Sequence, residues 1–316
     1  MYEIPWFLSG ERKTFEGIAS PELGILWKYF SNIRYFHIFY RNVFLLQNFE
    51  AMFLWNEKAI QIVAGPCSVE SEEQLFATAR GLKKIGIQTL RGGIWKPRSR
   101  AHHFEGVGEP GLRWLQQVQQ ELSMQVATPR QAEVALKYGI DILWIGARTT
   151  VSPFMIQEIA EVLRGGDTPV MLKNPVCPDL ELWTGAVERL LDIDLKQLSL
   201  IHRGFSVLDA APYRNIPCLE MALEMKKRFP GLPLFCDPSH ICGKRGLLYG
   251  ICAEALRLDM DGLFIESHCC PEVALSDAAQ QLTPEALGKM FENLGIRQVE
   301  NNKLHLGCEI LIQRKG

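Results

Sequence analysis

The chain has 316 residues, of which 47% are hydrophobic and 22% are charged, and its formal net charge is −2. This length allows one large domain or two small ones, and a charge so close to zero gives no indication of nucleic acid or an anionic membrane surface as a partner. Its nine cysteines lack the spacing of a secreted disulfide framework, which favours a reducing cytoplasm. An anion-binding site would therefore have to be a local cluster of cations.

Residues 1–57 differ in composition from the rest of the chain, because they contain half of its aromatic residues and none of its cysteines. Their most apolar stretch, residues 35–55, is interrupted by polar side chains and falls short of the ~20 apolar residues that a membrane span needs. No charged region precedes a compact apolar core, as it would in a signal peptide. We expect a cytoplasmic protein with no membrane partner, in which residues 1–57 form an extension of unknown role.

Short apolar stretches alternate with amphipathic ones between residues 58 and 295, and a tail of residues 296–316 follows. The apolar stretches predict strands at residues 60–64, 142–145, 170–172, 198–201, 234–236 and 263–265, and two more that end near Leu90 and Val126. Helices are predicted to begin at the N-cap residues Ser71, Thr128, Ser152 and Thr283. A further helix is predicted from residue 112 to residue 122.

Eight strands alternating with helices predict an α/β fold with a parallel sheet, and eight such units close into a (β/α)8 TIM barrel. An open, doubly wound sheet is the alternative. It would normally have a glycine-rich turn after the first strand, and the sequence Gly65-Pro66-Cys67-Ser68 is not such a turn. We therefore predict one catalytic barrel in residues 58–295.

In barrels of this kind the loops at the carboxyl ends of the strands build the active site. These loops carry a set of cations: Arg91, Lys96, Arg98, Arg148, Lys173 and Arg203. Each cation alone would more often be a solvated loop residue, but several at one mouth repel each other unless an anion lies between them. The set predicts a substrate with phosphate and carboxylate groups, bound by the forks of arginine and the point charges of lysine.

The same strand ends carry a second set, made of one thiol, one imidazole and two carboxylates: Cys67, His240, Glu266 and Asp277. Such a mixed sulfur, nitrogen and oxygen set suits one divalent transition metal ion such as Mn, Fe, Co or Zn. The separations in sequence are wide, so the prediction depends on the shared end of the barrel. Outside a barrel, Cys67 would more often be a buried structural thiol, and Asp237 to His240 would be an ordinary capped junction between a strand and a helix.

The strand ends resemble a known family. The runs that carry the likeness are Ala64-Gly65-Pro66-Cys67-Ser68, Lys96-Pro97-Arg98-Ser99, Ile145-Gly146-Ala147-Arg148, His202-Arg203-Gly204, Cys236-Asp237-Pro238-Ser239-His240 and Leu275-Ser276-Asp277. They are similar to 3-deoxy-D-arabino-heptulosonate 7-phosphate (DAHP) synthases, over residues 60–294. The likeness is greatest to the type Iβ subgroup, in which the synthase is often fused to a chorismate mutase, and the residues after 295 are too few for such a domain.

The resemblance implies a metal-dependent transferase that condenses phosphoenolpyruvate with erythrose 4-phosphate and releases phosphate, the first step of the shikimate pathway to chorismate. It implies Arg148, Lys173 and Arg203 as ligands of the phosphate of phosphoenolpyruvate, and Arg91 and Lys96 as ligands of its carboxylate.

Further roles follow from the same motifs. Pro97, Arg98 and Ser99 would bind erythrose 4-phosphate, and Asp237 would adjoin the substrate. Cys67, His240, Glu266 and Asp277 would bind the metal, with Lys96, His240 and Cys67 as the catalytic residues. We expect a homo-oligomer.

One departure from the family concerns the third strand, which has Met124-Gln125-Val126 where the family usually has Thr-Glu-Val. A carboxylate lost near the metal site would lower metal affinity or activity. A catalytically impaired barrel that only binds anions or a partner is therefore one alternative. The other is 3-deoxy-manno-octulosonate 8-phosphate synthase, which has a Lys-Ala-Asn-Arg run where this chain has Lys96-Pro97-Arg98-Ser99.

Overall fold

A computed structural model describes residues 60–98, 100–118 and 120–296 of the chain. The predicted extension of residues 1–57 and nearly all of the predicted tail of residues 296–316 lie outside the described residues. The predicted domain boundaries therefore stay predictions.

Eight parallel strands close into a barrel in chain order, which confirms the predicted (β/α)8 fold. The strands are β1 (Gln61–Gly65), β2 (Thr89–Gly92), β3 (Glu121–Val126), β4 (Ile142–Ile145), β5 (Val170–Lys173), β6 (Leu198–His202), β7 (Leu234–Cys236) and β8 (Gly262–Glu266). The barrel closes where β1 pairs with β8, with Gln61 opposite Gly262 and Gly65 opposite Glu266. This register places the carboxyl ends of the first and last strands side by side.

The helices between the strands surround the barrel. They are α1 (Glu72–Lys84), α2 (Pro110–Gln117), α3 (Pro129–Lys137), α4 (Ala147–Thr150), α5 (Pro153–Leu163), α6 (Leu180–Leu191), α7 (Leu219–Arg228), α8 (Pro238–Cys242), α9 (Leu248–Arg257) and α10 (Pro284–Asn293). The four predicted N-caps are confirmed, because the side chains of Ser71, Thr128, Ser152 and Thr283 each accept a hydrogen bond from the backbone N–H three residues later.

The prediction of a helix from residue 112 to residue 122 was wrong at its end. Helix α2 stops at Gln117, and Leu122 lies in β3 opposite Leu90 of β2. Glu121, Leu122, Met124 and Gln125 are good helix formers in isolation, but pairing on both sides and burial in the barrel outweigh that preference.

The core has two layers, one inside the barrel and one between the strands and the helices. The inner layer is Val63, Ile142, Trp144, Met171, Ile201, Phe235 and Phe264. Trp144 and Phe264 meet edge to face with ring centroids 5.1 Å apart. The barrel is therefore filled with packed side chains, and the loops at its carboxyl end lie next to this packed interior.

Gly65, at the end of β1, allows the backbone of β2 to approach closely. A Cβ atom at this position would lie 2.1 Å from the carbonyl oxygen of Arg91, so Gly65→Ala should force β1 and β2 apart beside the candidate site. We expect the free energy of unfolding to fall by about 3 kcal/mol, measured by denaturant titration with circular dichroism.

The matched control is Gly185→Ala in α6, where a Cβ would meet no atom within 4 Å. A helical alanine in open space should stabilise the protein by roughly 0.5–1 kcal/mol. Equal stability of Gly65→Ala and the unmodified protein would contradict the close approach of the two strands.

Candidate active site

The structure brings the four predicted metal ligands together at the carboxyl end of the barrel. Cys67 follows β1, His240 lies in α8, Glu266 ends β8 and Asp277 lies in the loop after β8. The sulfur of Cys67 and one carboxylate oxygen each of Glu266 and Asp277 lie within 4.8 Å of one another. His240 Nε2 lies 3.7 Å from Glu266 Oε1 and 3.9 Å from Asp277 Oδ2.

The chemistry of this donor set fits a divalent transition metal ion. Burial and the negative charge of Glu266 raise the pKa of the Cys67 thiol to about 12, and the thiol donates a hydrogen bond to Asp277 Oδ2 at 3.3 Å. A metal ion between these groups would favour the thiolate, as coordination does for cysteine in general. One sulfur, one imidazole nitrogen and two carboxylates are donors that Mn, Fe, Co and Zn accept.

Asp237 orients His240 and also caps the helix that carries it. Its Oδ1 accepts from the backbone N–H of His240 at 3.1 Å, while its Oδ2 lies 2.8 Å from His240 Nδ1. Burial lowers the pKa of His240, which favours the neutral ring, and with Nδ1 on the side of Asp237 the ring presents Nε2 to the ligand set. Asp237 thus caps the junction between β7 and α8, as the sequence suggested, and it also contacts the candidate metal ligand His240.

Lys173, the last residue of β5, is the second partner of Asp237, with its Nζ 2.7 Å from Oδ2. Burial lowers the pKa of Lys173 to about 8 although Asp237 opposes this shift. Burial also opposes the charge of Asp237, but His240 and Lys173 together hold its pKa well below the usual range. Asp237 is fully buried, and its predicted contact with the substrate stays a prediction.

Arg91, at the end of β2, closes the barrel interior. Its guanidinium lies 4.5 Å from the ring centroid of Phe264 and 5.2 Å from that of Trp144, and its Nη2 donates to Glu266 Oε1 at 3.1 Å. Its Nε and Nη1 are buried and have no hydrogen-bond partner among the described residues. Unpaired buried donors are costly, and these two nitrogens are left to donate to an anionic ligand.

Arg203 lies on the β6 side of the same mouth. Its backbone N–H donates to Asn174 Oδ1 at 2.7 Å, and its Nη1 donates to Asn215 Oδ1 at 2.9 Å. Burial, helped by the charges of Arg214 and Arg148, lowers the pKa of Arg203 to about 10. Arg148 is exposed in α4, so its fork is free to meet a ligand that enters from solvent.

The predicted Lys-Pro-Arg-Ser run lies in the loop after β2. Lys96 Nζ is 3.0 Å from both the sulfur and the carbonyl oxygen of Cys67, which places its ammonium group beside the metal ligands. Pro97 and Arg98 are half-buried, and Arg98 Nε donates to the carbonyl of Phe104 at 2.9 Å. Ser99 falls outside the described residues, so its predicted contact stays a prediction.

The sequence reasoning missed three polar residues that contact the ligand set. Arg214 Nη1 lies 3.2 Å from Asp277 Oδ1, Gln280 Nε2 donates to Glu266 Oε2 at 2.6 Å, and Gln281 Oε1 accepts from the backbone N–H of Cys67 at 2.9 Å. Arg214 lies in a long connection without periodicity, and neutral amides carry no charge signal. Only the short distance from Asp277 to the two glutamines along the chain could have pointed to them.

Gln125 is the residue of β3 at which the sequence differs from the family pattern, and it lies near the helix that carries Arg148. A Cβ at Gly146 would lie 2.8 Å from Gln125 Nε2, and Gly146 is the N-cap of α4, which carries Arg148. The side-chain amide of Gln125 therefore lies beside the start of this helix. Its effect on metal affinity or activity stays a prediction.

Residues 46–299 match the model of the DAHP synthetase I family. The chain belongs to this family. A phospho-2-dehydro-3-deoxyheptonate aldolase of Thermotoga maritima is 31% identical over 241 residues, which are 74% of this chain and 68% of that protein. The crystal structure of a DAHP synthase from the same organism superposes with a TM-score of 0.68 at 28% identity, over 76% of this chain and 69% of that one.

Relatives of the alternative, octulosonate type are more distant. A 2-dehydro-3-deoxyphosphooctonate aldolase of Alkalilimnicola ehrlichii is 26% identical over 261 residues, which are 75% of this chain and 90% of that protein. The comparisons therefore favour the DAHP synthases over the octulosonate phosphate synthases. The family description does not separate subgroups, so type Iβ stays a prediction. In the described part of the chain, no helix has the length and apolar character to cross a membrane.

The low pKa of Lys173 predicts how anion binding depends on pH. Below about pH 8 the lysine of the free protein is charged, and above it the ammonium loses its proton, so the affinity for phosphoenolpyruvate should be constant up to that pH and then fall. Titration calorimetry between pH 7 and pH 9.5 measures this dependence. Lys173→Arg, which stays charged throughout, should bind with little change over the same range. The same fall in both proteins would assign the titration to another group.

Proposed function

We propose that the protein is a metal-dependent DAHP synthase that condenses phosphoenolpyruvate with erythrose 4-phosphate, consumes one water molecule and releases phosphate. Membership of the DAHP synthetase I family supports this proposal. The observation that carries it is the contact between two sites: the cluster of Cys67, His240, Glu266 and Asp277 adjoins buried cations at one mouth of the barrel. An anion site would bind the phosphorylated substrates, and a metal centre beside it could activate the aldehyde for the condensation.

The cations divide between the groups of phosphoenolpyruvate. Arg91 has two free donors above the filled barrel, and with Lys96 it would bind the carboxylate. Lys173, Arg203 and Arg148 would bind the phosphate, with Arg203 held in place by Asn174 and Asn215. Binding at both ends fixes the enol carbon relative to the metal ligands.

The second substrate would lie toward the loop after β2, where Arg98 and Ser99 would bind its phosphate. A divalent ion held by the four ligand residues would act as a Lewis acid on the aldehyde oxygen. Lys96 is 3.0 Å from the sulfur of Cys67, close enough to the ligand set to give a proton to the developing alkoxide. A water molecule would be the alternative proton source.

We further propose that this reaction serves as the first step of the shikimate pathway, in the cytoplasm and in a homo-oligomer. All eight cysteines within the described residues are free thiols, which agrees with a reducing compartment.

Phosphate release tests the reaction and its second substrate. Purified protein with Mn²⁺ and phosphoenolpyruvate should release phosphate when erythrose 4-phosphate is added and much less with arabinose 5-phosphate. Release only with arabinose 5-phosphate would refute the proposed substrate. No release with either sugar would support the impaired barrel instead.

Loss of the thiol ligand tests the metal centre. Because direct ligands matter more than their outer partners, Cys67→Ala should lower Mn²⁺-dependent turnover by more than ~100-fold, and a chelator should stop the unmodified enzyme. The control is Cys252→Ala, which removes an equally buried thiol in α9, away from the ligand set. Full activity of Cys67→Ala would remove this residue from the metal centre.

A further inference from the structure

The two oxygens of each carboxylate ligand, Glu266 and Asp277, face different partners. Glu266 Oε1 and Asp277 Oδ2 face His240 Nε2, at 3.7 and 3.9 Å. The other oxygens face outward: Glu266 Oε2 accepts from Gln280 Nε2 at 2.6 Å, and Asp277 Oδ1 lies 3.2 Å from Arg214 Nη1. The oxygens that face His240 also accept one hydrogen bond each, Glu266 Oε1 from Arg91 Nη2 at 3.1 Å and Asp277 Oδ2 from the Cys67 thiol at 3.3 Å. A carboxylate oxygen can accept a second interaction, so these two oxygens still face the ligand set, while the outer oxygens are held by Gln280 and Arg214.

A hydrogen bond joins the two outer partners. Arg214 Nη1 donates to Gln280 Oε1 at 2.8 Å. A guanidinium has only donors, so Gln280 must turn its oxygen to Arg214 and its NH2 group to Glu266. Gln280 is 1% exposed, and a flipped amide would bring donor against donor and acceptor against acceptor. The orientation of Gln280 is therefore fixed, and with it the rotation of the Glu266 carboxylate.

Arg214 is itself held in place by its backbone. The N–H groups of Arg214 and Asn215 both donate to the carbonyl of Ile241, at 3.0 and 3.1 Å. A Cβ at Gly243 would lie 2.5 Å from Arg214 Cβ, and Gly243 has a φ of 67°, a left-handed conformation that glycine adopts without strain. The loop after β6 is thereby joined to the end of α8, the helix that carries His240.

We propose that Arg214 and Gln280 are positioning residues that hold Glu266 and Asp277 with one oxygen each directed at the metal. This inference rests on the proposed metal centre. Two neighbouring carboxylates repel each other and can rotate to chelate an ion with either or both oxygens. With the outer oxygen of each held by Gln280 or Arg214, Glu266 and Asp277 would each offer one oxygen to a bound ion. Outer partners of this kind typically change metal affinity by ~10–100-fold.

Variants that conserve charge separate orientation from electrostatics. Removing the positive charge of Arg214 would by itself favour cation binding, so the test uses Arg214→Lys and the neutral Gln280→Met. Arg214→Lys keeps the charge, but its single nitrogen lies one bond nearer the backbone than Nη1, the atom that contacts both Asp277 and Gln280. Each should weaken Mn²⁺ binding by ~10-fold or more, measured as free Mn²⁺ by electron paramagnetic resonance. The double variant should lose less than the product of the two single losses, because the residues form one network.

The control for loop structure is Arg245→Lys. Arg245 contacts the loop after β8, which also carries Asp277 and Gln280. Its Nε donates to the carbonyl of Gln281 at 2.6 Å, and its Nη2 donates to that of Ala278 at 2.9 Å. It donates to backbone carbonyls of this loop rather than to a ligand carboxylate, so its variant should bind Mn²⁺ within twofold of the unmodified protein. Thermal unfolding of the metal-free proteins shows whether each variant is folded.

Three outcomes would overturn the inference. The first is Mn²⁺ affinity within twofold of the unmodified protein in both Arg214→Lys and Gln280→Met. The second is an equal loss in Arg245→Lys, which would assign the effect to loop structure. The third is an unmodified protein that binds no Mn²⁺, which would remove the metal centre and this inference together, whereas phosphate release tests the proposed reaction separately.

Discussion

The ion pair between Arg91 and Glu266 is the interaction that joins the two halves of the site. Its 3.1 Å contact is fully buried, and taking two charges out of water costs several kcal/mol per ion unless other contacts offset the loss. The rings of Phe264 and Trp144 lie beside the guanidinium, and Gln280 satisfies the second oxygen of Glu266. Arg91 thus belongs to the anion site and Glu266 to the ligand set. A substitution of either residue would therefore leave a buried charge unpaired in the other site.

Barrel closure is what brings these residues together. Gly65 pairs with Glu266 where β1 meets β8, and Cys67 follows Gly65 after one intervening residue. Residues about two hundred positions apart in sequence therefore face the same point. Trp144 and Phe264 pack against each other inside the barrel, and both rings contact the guanidinium of Arg91, which donates to Glu266. A rigid scaffold of this kind is what a site of preset geometry needs.

Much of this arrangement could be predicted from the chain alone, because strand ends in a parallel barrel share one face and the polar residues there stand out against apolar strands. The dual role of Asp237 could not, since a helix cap and a partner of His240 look the same in sequence. Arg214 and Gln280 were missed because their contacts depend on the path of long connections. The error at Leu122 arose because barrel pairing overrides local helix preference.

Some of the cations that the sequence predicted as ligands of an anionic substrate already form ion pairs with carboxylates of the protein. Arg91 pairs with Glu266 and Lys173 with Asp237. Arg214, which was not in the predicted set, pairs with Asp277. A cation cluster that was wholly unpaired would strain the fold, and one that was wholly paired would have no donors left for a ligand. The structure lies between these limits, because Arg91 keeps two buried donors without partners and Arg148 is exposed. The carboxylates that stabilise the cations therefore include the candidate metal ligands, and the same charges serve both folding and chemistry.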